Sequence, residues 1–235
     1  KFQKEEKAVC IYLSLGVLFF LFFDYSISKF FYNINSQTKS LFETLTHFGD
    51  SLYFFVPTIL IWAVIKIIQN KNKIILTFSD ISIFIFFNIL FSGIAVQIFK
   101  HILGRPRPPM FHLYNLSSLD FFQFDSKWHS FPSGHTATIF AFIFCLIFLF
   151  PKIKNILITI AVVIASTRVI VGAHYVSDIF GGALVAYITS ILLRDKFFQK
   201  SKLFQSDQGY LISNENVQLI YSSLEEKLKS LFSLY

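Results

Sequence analysis

The chain has 235 residues, of which 54% are hydrophobic and 15% are charged, and it contains 32 phenylalanines. Soluble domains carry roughly 25% charged residues, so this composition indicates a protein that folds in lipid. The formal charge of +7 does not indicate a nucleic-acid partner, because the Lys and Arg residues lie between apolar segments and not in one basic stripe.

Six apolar segments approach the length of about 20 residues that a helix needs to cross a bilayer. In chain order they are Ala8–Phe23, Tyr53–Ile68, Ile81–Phe99, Thr136–Phe150, Ile156–Val171 and Ile179–Leu193. They lack the polar face of helices in soluble proteins, which argues against a soluble helical core. We therefore predict an all-α fold, an integral membrane bundle of six transmembrane helices over residues 1–194.

The remaining residues, 195–235, form a polar C-terminal tail. In it, Leu224, Leu228 and Leu231 recur at helical spacing, which predicts one amphipathic helix. Two placements of this helix remain open, one on the membrane surface and one packed against the helical body.

The lysines and arginines are distributed unevenly between the two sides of the predicted bundle. The larger set lies close to segment ends and comprises Lys1, Lys4, Lys7, Lys66, Lys71, Lys73, Lys152, Lys154, Arg194, Lys196, Lys200 and Lys202. The positive-inside rule places this set, and with it both termini, in the cytoplasm. The end of the third segment, the start of the fourth, the end of the fifth and the start of the sixth then share the opposite, external side.

Ionisable and small polar residues are concentrated at these four segment ends. They are Lys100, Arg105, Arg107, Ser133, Gly134, His135, Arg168, His174 and Asp178. Ionisable side chains at such depth are costly and indicate function by default. Because the four ends face one membrane surface, we predict that these residues meet there in a single site.

The cations of this set suit a phosphate ligand. Lys100, Arg107 and Arg168 supply three positive charges, and arginine can grip phosphate oxygens with two parallel hydrogen bonds. Ser133 and Gly134 precede a helix, whose free N–H groups and dipole attract anions. Arg105 has two open interpretations, an interfacial anchor or a salt-bridge partner.

The histidines and the carboxylate suit nucleophilic chemistry. His174 and Asp178 are four residues apart, so on a helix they lie within reach on one face. A carboxylate in that position fixes the imidazole tautomer and stabilises its cation. His135 is a second imidazole that can act as a general acid.

The same residues resemble the signature of the type 2 phosphatidic acid phosphatase (PAP2) superfamily, in its bacterial form. That signature is Lys, six residues, Arg-Pro; then Pro-Ser-Gly-His; then Ser-Arg, five residues, His, three residues, Asp. The matching residues are Lys100, Arg107-Pro108, Pro132-Ser133-Gly134-His135, Arg168, His174 and Asp178. Thr167 replaces the usual Ser and keeps a hydroxyl group.

The resemblance implies a metal-independent phosphoric ester or anhydride hydrolase with no cofactor. In that mechanism His174 attacks phosphorus and forms a phosphohistidine, Asp178 orients His174, and His135 protonates the leaving oxygen. The resemblance also implies that five residues hold the phosphate: Lys100, Arg107, Ser133, Gly134 and Arg168.

The substrate is expected to be a phosphorylated membrane lipid. Lipid A 1-phosphate, undecaprenyl diphosphate, phosphatidylglycerophosphate and phosphatidic acid all remain open. The expected location is the bacterial inner membrane, with the site facing the periplasm or exterior. Two alternatives are a lipid phosphotransferase with the same site and a phosphate-binding transporter, although few polar residues interrupt the middle of the apolar segments.

Overall fold

The computed structural model describes residues 2–69 and 73–197, together with residue 222. Nearly all regular structure in these residues is helical. The α-helices are α1 (Phe2–Phe22), α2 (Asp24–Tyr32), α3 (Ser36–Thr46), α4 (Leu52–Ile68), α5 (Lys73–Leu103), α6 (Pro108–Tyr114), α7 (Gly134–Leu149), α8 (Lys154–Ile170) and α9 (Val176–Leu192). The amphipathic helix predicted around Leu228 lies outside the described residues, and the boundary between body and tail stays a prediction.

Four helical stretches of the described chain are long and apolar enough to cross a membrane. They are Ser36–Ile68, Ile75–Leu103, Pro151–Ile170 and Val176–Asp195. The pair Val9–Phe22 and Asp24–Tyr32, bent by 64°, gives a fifth if it counts as one span. Helix α7 is also apolar but has 16 residues. The protein is therefore an all-α membrane bundle, and each of the six predicted segments lies within one helix, apart from at most one residue at its end.

Helix α7 lies at the centre of the bundle. It packs against α5, α8 and α9, while α1 packs on α9 and α4 on α5. Small, fully buried side chains line these contacts, among them Ala141 and Cys145 on α7, Ala161 on α8 and Ala186 on α9. Small residues allow helix backbones to approach closely, which is how membrane helices gain packing energy without a hydrophobic driving force.

Buried polar side chains join α5 to its neighbours in the middle of the bundle. The Asn88 amide donates to the Ala141 carbonyl and to Ser190 Oγ, both at 2.8 Å. The hydroxyls of Ser92 and Thr189 lie 2.6 Å apart. These polar groups hydrogen-bond between helices.

Helix α5 ends at a glycine in a backbone conformation that residues with a side chain adopt only rarely. Gly104 has φ of +50°, and a Cβ at this position would lie 1.5 Å from the carbonyl oxygen of Asp120. The Asp120 N–H in turn donates to the Gly104 carbonyl at 2.9 Å. This turn directs the chain from α5 into the long loop that holds Arg105 and Arg107.

The loop folds back on itself before α7 begins. The Arg107 N–H donates to the Lys127 carbonyl at 2.9 Å, and the Ser130 N–H donates to the Arg105 carbonyl at 3.0 Å. These bonds place the residues just before α7 beside the end of α5. Two parts of the predicted site, 26 to 35 residues apart in sequence, are thereby held together.

Candidate active site

The structure brings the predicted site residues together at one end of the bundle. Lys100 lies close enough to Arg107 and Arg168 for their positive charges to repel one another. The charges of Lys100 and Arg107 also act on His174. His135 interacts with the same three cations. A Cβ placed at Gly134 would lie 3.7 Å from Lys100 Nζ. The ends of α5 and α8 and the starts of α7 and α9 therefore converge, as their shared side of the membrane predicts.

Asp178 is the most heavily hydrogen-bonded side chain of the cluster, and it is fully buried. Its Oδ2 accepts from Ser130 Oγ at 2.6 Å and from the Tyr175 N–H at 2.9 Å. The same oxygen lies 3.3 Å from His174 Nδ1. An ionised carboxylate with these donors holds Nδ1 of the imidazole as the protonated nitrogen and leaves Nε2 with its lone pair.

His174 sits in the short turn between α8 and α9. Its backbone N–H donates to the Arg168 carbonyl at 3.1 Å, which ties the turn to the end of α8. Burial lowers the pKa of His174 to about 3, with further lowering by Arg107 and Lys100, and against the opposing effect of Asp178. A neutral imidazole near pH 7 is the form that can act as a nucleophile.

Arg105 lies behind Asp178 and is 1% exposed. One guanidinium nitrogen pairs with Asp178 Oδ1, and the other donates to Asp24 Oδ2 at 2.8 Å. Burial disfavours the charge on Arg105, but Asp178 and Asp24 outweigh that effect and raise its pKa. The salt-bridge interpretation of Arg105 is confirmed, and the interfacial-anchor interpretation is wrong because the side chain is buried between two carboxylates.

Ser177 completes this buried group. Its hydroxyl accepts from Arg105 at 2.7 Å and contacts Asp24, and its N–H donates to Asp24 Oδ1 at 3.0 Å. The sequence reasoning missed Asp24, Ser130 and Ser177. A signal for Asp24 exists, since it is a charged residue that directly follows the first apolar segment, at the end that the predicted topology assigns to the same side as the site.

Arg168 reaches towards the site from the end of α8. One of its terminal nitrogens donates to Thr46 Oγ1 at 3.0 Å, so the end of α3 also belongs to the site. Its Nε is buried and has no hydrogen-bond partner among the described residues. Arg107 Nε donates to the Ser126 carbonyl at 3.0 Å. Both guanidinium groups thus keep N–H donors beyond those that the protein itself engages.

The start of α7 is capped by Ser133. Its Oγ accepts from the Thr136 N–H at 3.4 Å and the Thr136 hydroxyl at 3.0 Å, and its own N–H donates to the Asp178 carbonyl at 3.0 Å. The first N–H groups of a helix have no partner within it, so those of Gly134 and His135 can bind an anion.

Known proteins resemble this chain over most of its length. The family model of the PAP2 superfamily matches residues 82–202. A lipid A 1-phosphatase of Rhizobium johnstonii is 33% identical over 205 residues, which cover 83% of each chain. A lipid A 1-phosphatase of Rhizobium etli is 35% identical over 154 residues, 63% of this chain and 66% of the relative.

The chain belongs to the PAP2 superfamily. It is a membrane lipid phosphatase homologous to bacterial lipid A 1-phosphatases, and the predicted family is confirmed. Two crystal structures share the PAP2 fold at 22% identity. LpxE from Aquifex aeolicus has a TM-score of 0.52 and covers 72% of this chain, with 93% of its own chain matched. The PAP2-type phosphatidylglycerolphosphate phosphatase from Bacillus subtilis has a TM-score of 0.61, with 86% and 99% covered.

The one departure from the PAP2 signature lies at Thr167. This residue is 1% exposed, and its hydroxyl donates to the Ile164 carbonyl at 2.6 Å within its own helix. The hydroxyl group is therefore engaged by α8 itself. The substitution of Thr for Ser leaves the neighbouring Arg168 in place beside the other site residues.

Proposed function

We propose that this chain hydrolyses the 1-phosphate of lipid A, or of a closely similar glycolipid, through a phosphohistidine intermediate. The proposal of lipid A rests on the two relatives, both lipid A 1-phosphatases, at 33% and 35% identity. The single observation that supports the mechanism is the buried His174–Asp178 pair, 3.3 Å apart, close to Lys100 and Arg107.

Five residues would hold the phosphate. Lys100, Arg107 and Arg168 surround it with positive charge, and Ser133 and Gly134 present the start of α7. The buried Arg168 Nε, without a partner in the described chain, is a donor suited to a phosphate oxygen. Fixed donors around the equatorial oxygens stabilise the charge that the transition state spreads over them.

The reaction would run in two steps. In the first, Nε2 of His174 forms a bond to phosphorus while the bond from phosphorus to the lipid oxygen breaks, and His135 gives that oxygen its proton. Asp178 keeps Nδ1 protonated and stabilises the imidazole as positive charge develops on it. In the second, water attacks phosphorus, His135 takes its proton, and inorganic phosphate leaves with His174 restored.

Six spans would place this chemistry at the lipid surface. In this arrangement α1, α4, α5, α7, α8 and α9 each cross the bilayer, both termini are cytoplasmic, and the site faces the periplasm. The 16-residue α7 is long enough to cross the bilayer only if the residues that precede it also lie within the membrane interface. A site at that depth meets a lipid headgroup without removing the lipid from the bilayer.

Phosphate release from a panel of lipids tests the proposal. Purified protein in detergent with EDTA is given lipid A 1-phosphate, phosphatidylglycerophosphate, phosphatidic acid and undecaprenyl diphosphate. We expect the fastest release from lipid A, none from His174→Ala, and normal release from Glu43→Gln, a change at an exposed residue of α3. Full activity of His174→Ala overturns the mechanism, and a preference for another lipid overturns the substrate.

Two further outcomes separate the alternatives. Phosphate that appears on an added lipid alcohol, and not in solution, would make the enzyme a phosphotransferase that uses the same phosphohistidine. Phosphate binding without turnover of any lipid would favour a transporter. The interhelical hydrogen bonds of Asn88 and Ser92 argue against the latter, since the Asn88 amide nitrogen and the Ser92 hydroxyl already bond to the neighbouring helix.

A further inference from the structure

A second carboxylate, that of Asp24, is linked to the proposed catalytic pair through one intervening side chain, that of Arg105. Asp24, at the bend between α1 and α2, is 1% exposed and holds Arg105, which in turn holds Asp178. Each of the two carboxylates pairs with a different nitrogen of the Arg105 guanidinium. Buried charged groups are costly unless they are paired and hydrogen-bonded, as these are.

The bonds of Arg105 fix how Asp178 is turned. Arg105 occupies Oδ1, so Oδ2 is directed towards His174, Ser130 and the Tyr175 N–H. The guanidinium itself cannot move easily, since its centre lies 4.1 Å from the centroid of the Tyr175 ring and 4.8 Å from that of Phe20. Rotation of the Asp178 carboxylate would therefore cost its ion pair.

Asp24 holds the other side of Arg105 and also the start of α9. Its Oδ1 accepts the Ser177 N–H at 3.0 Å, and its Oδ2 accepts from Arg105 at 2.8 Å. Residue 24 lies 154 positions before Asp178 in the chain, yet a single guanidinium separates the two carboxylates. The bend between α1 and α2 is thus tied to the residue that orients the nucleophile.

We propose that Asp24, acting through Arg105, is a positioning residue that holds Asp178 towards His174. This inference rests on the proposed function. When His174 bonds to phosphorus its imidazole becomes cationic, and Asp178 stabilises that cation only while Oδ2 stays directed at Nδ1. Without the Asp24 carboxylate, one side of the Arg105 guanidinium loses its ion-pair partner, and Arg105 no longer holds Asp178 Oδ1 firmly in place.

The test compares Asp24→Asn, which keeps size and an acceptor oxygen, with Asp24→Glu, which keeps the charge. We expect Asp24→Asn to lower kcat by roughly 10- to 100-fold, because a neutral amide holds the Arg105 guanidinium less strongly than a carboxylate does. Its KM should stay within about twofold of wild type, because Asp24 does not touch the phosphate. Asp24→Glu should recover most of kcat. Glu43→Gln, an exposed acid lost from α3, is the matched control.

The outcomes separate this inference from the function on which it rests. If wild type releases no phosphate from any lipid, the proposed function fails first. If wild type and Glu43→Gln are active, a kcat of Asp24→Asn within twofold of wild type overturns the positioning role. A purely structural role would lower the melting temperature equally in both Asp24 variants without the recovery by Glu.

If Asp24→Asn does not fold, Arg105→Lys tests the same positioning role. Lysine keeps the positive charge but cannot bond both carboxylates through two separate nitrogens. We expect kcat to fall while KM holds, and a wild-type kcat for Arg105→Lys would overturn the proposal.

Discussion

Gly182 on α9 lies directly against Ser133 at the start of α7. A Cβ at position 182 would come 2.5 Å from the Ser133 carbonyl oxygen and 3.0 Å from Thr136 Cβ. We expect Gly182→Ala to displace Ser133 and Gly134, to cost about 1–3 kcal/mol of stability, and to lower kcat/KM. Phosphate release and thermal unfolding in detergent measure the two effects.

Gly93 provides the control for this prediction. It lies on α5, and a Cβ there would meet nothing within 4 Å. Since alanine favours helix over glycine by about 1 kcal/mol, Gly93→Ala should be neutral or slightly stabilising and fully active. If Gly182→Ala behaves like Gly93→Ala, the close contact between α9 and the start of α7 does not set the geometry of the site.

Ser130 is expected to matter through Asp178. Its hydroxyl donates to Oδ2 at 2.6 Å and is fully buried, so Ser130→Ala removes a hydrogen bond to a carboxylate that water cannot replace. Bonds to charged groups contribute about 1.5–3 kcal/mol. We expect a lower melting temperature and a kcat reduced by roughly tenfold, measured as phosphate release. Ser118→Ala, at an exposed loop position, should change neither quantity.

The stability of the protein should decrease in acid because of His174. Burial lowers its pKa to about 3, whereas an imidazole in the unfolded chain titrates near 6.5, at roughly its unperturbed value. Between these values the unfolded state binds the proton and the folded state does not, so stability rises with pH over that range and is lost as pH falls below about 6. Above that pH range, His174 does not contribute to the dependence of stability on pH.

Melting temperatures from pH 7 to pH 4 check this expectation. His174→Gln removes the titrating imidazole and keeps a side chain that can hydrogen-bond to Asp178. Its melting temperature should decrease less steeply in acid than that of wild type. Equal slopes for the two proteins would show that His174 is not held neutral by burial.

The membrane bundle and the predicted site followed from patterns within short stretches of chain. Each apolar segment forms a helix because lipid offers no water to the backbone, and a helix pairs the N–H and C=O groups within the segment itself. The convergence of Lys100, Ser133, Arg168 and His174 followed from counting which segment ends face the same side. Local spacing also placed Asp178 within reach of His174, because residues four apart are neighbours on a helix.

Local sequence patterns were enough to predict the family, the apolar segments and the residues of the candidate site. The folded structure was needed to show that Arg105 is buried between Asp24 and Asp178, that Ser130 bonds to Asp178, and that Thr46 meets Arg168. These partners lie 48 to 122 residues apart. No local periodicity links them, because their contacts depend on the tilt and the depth at which whole helices pack.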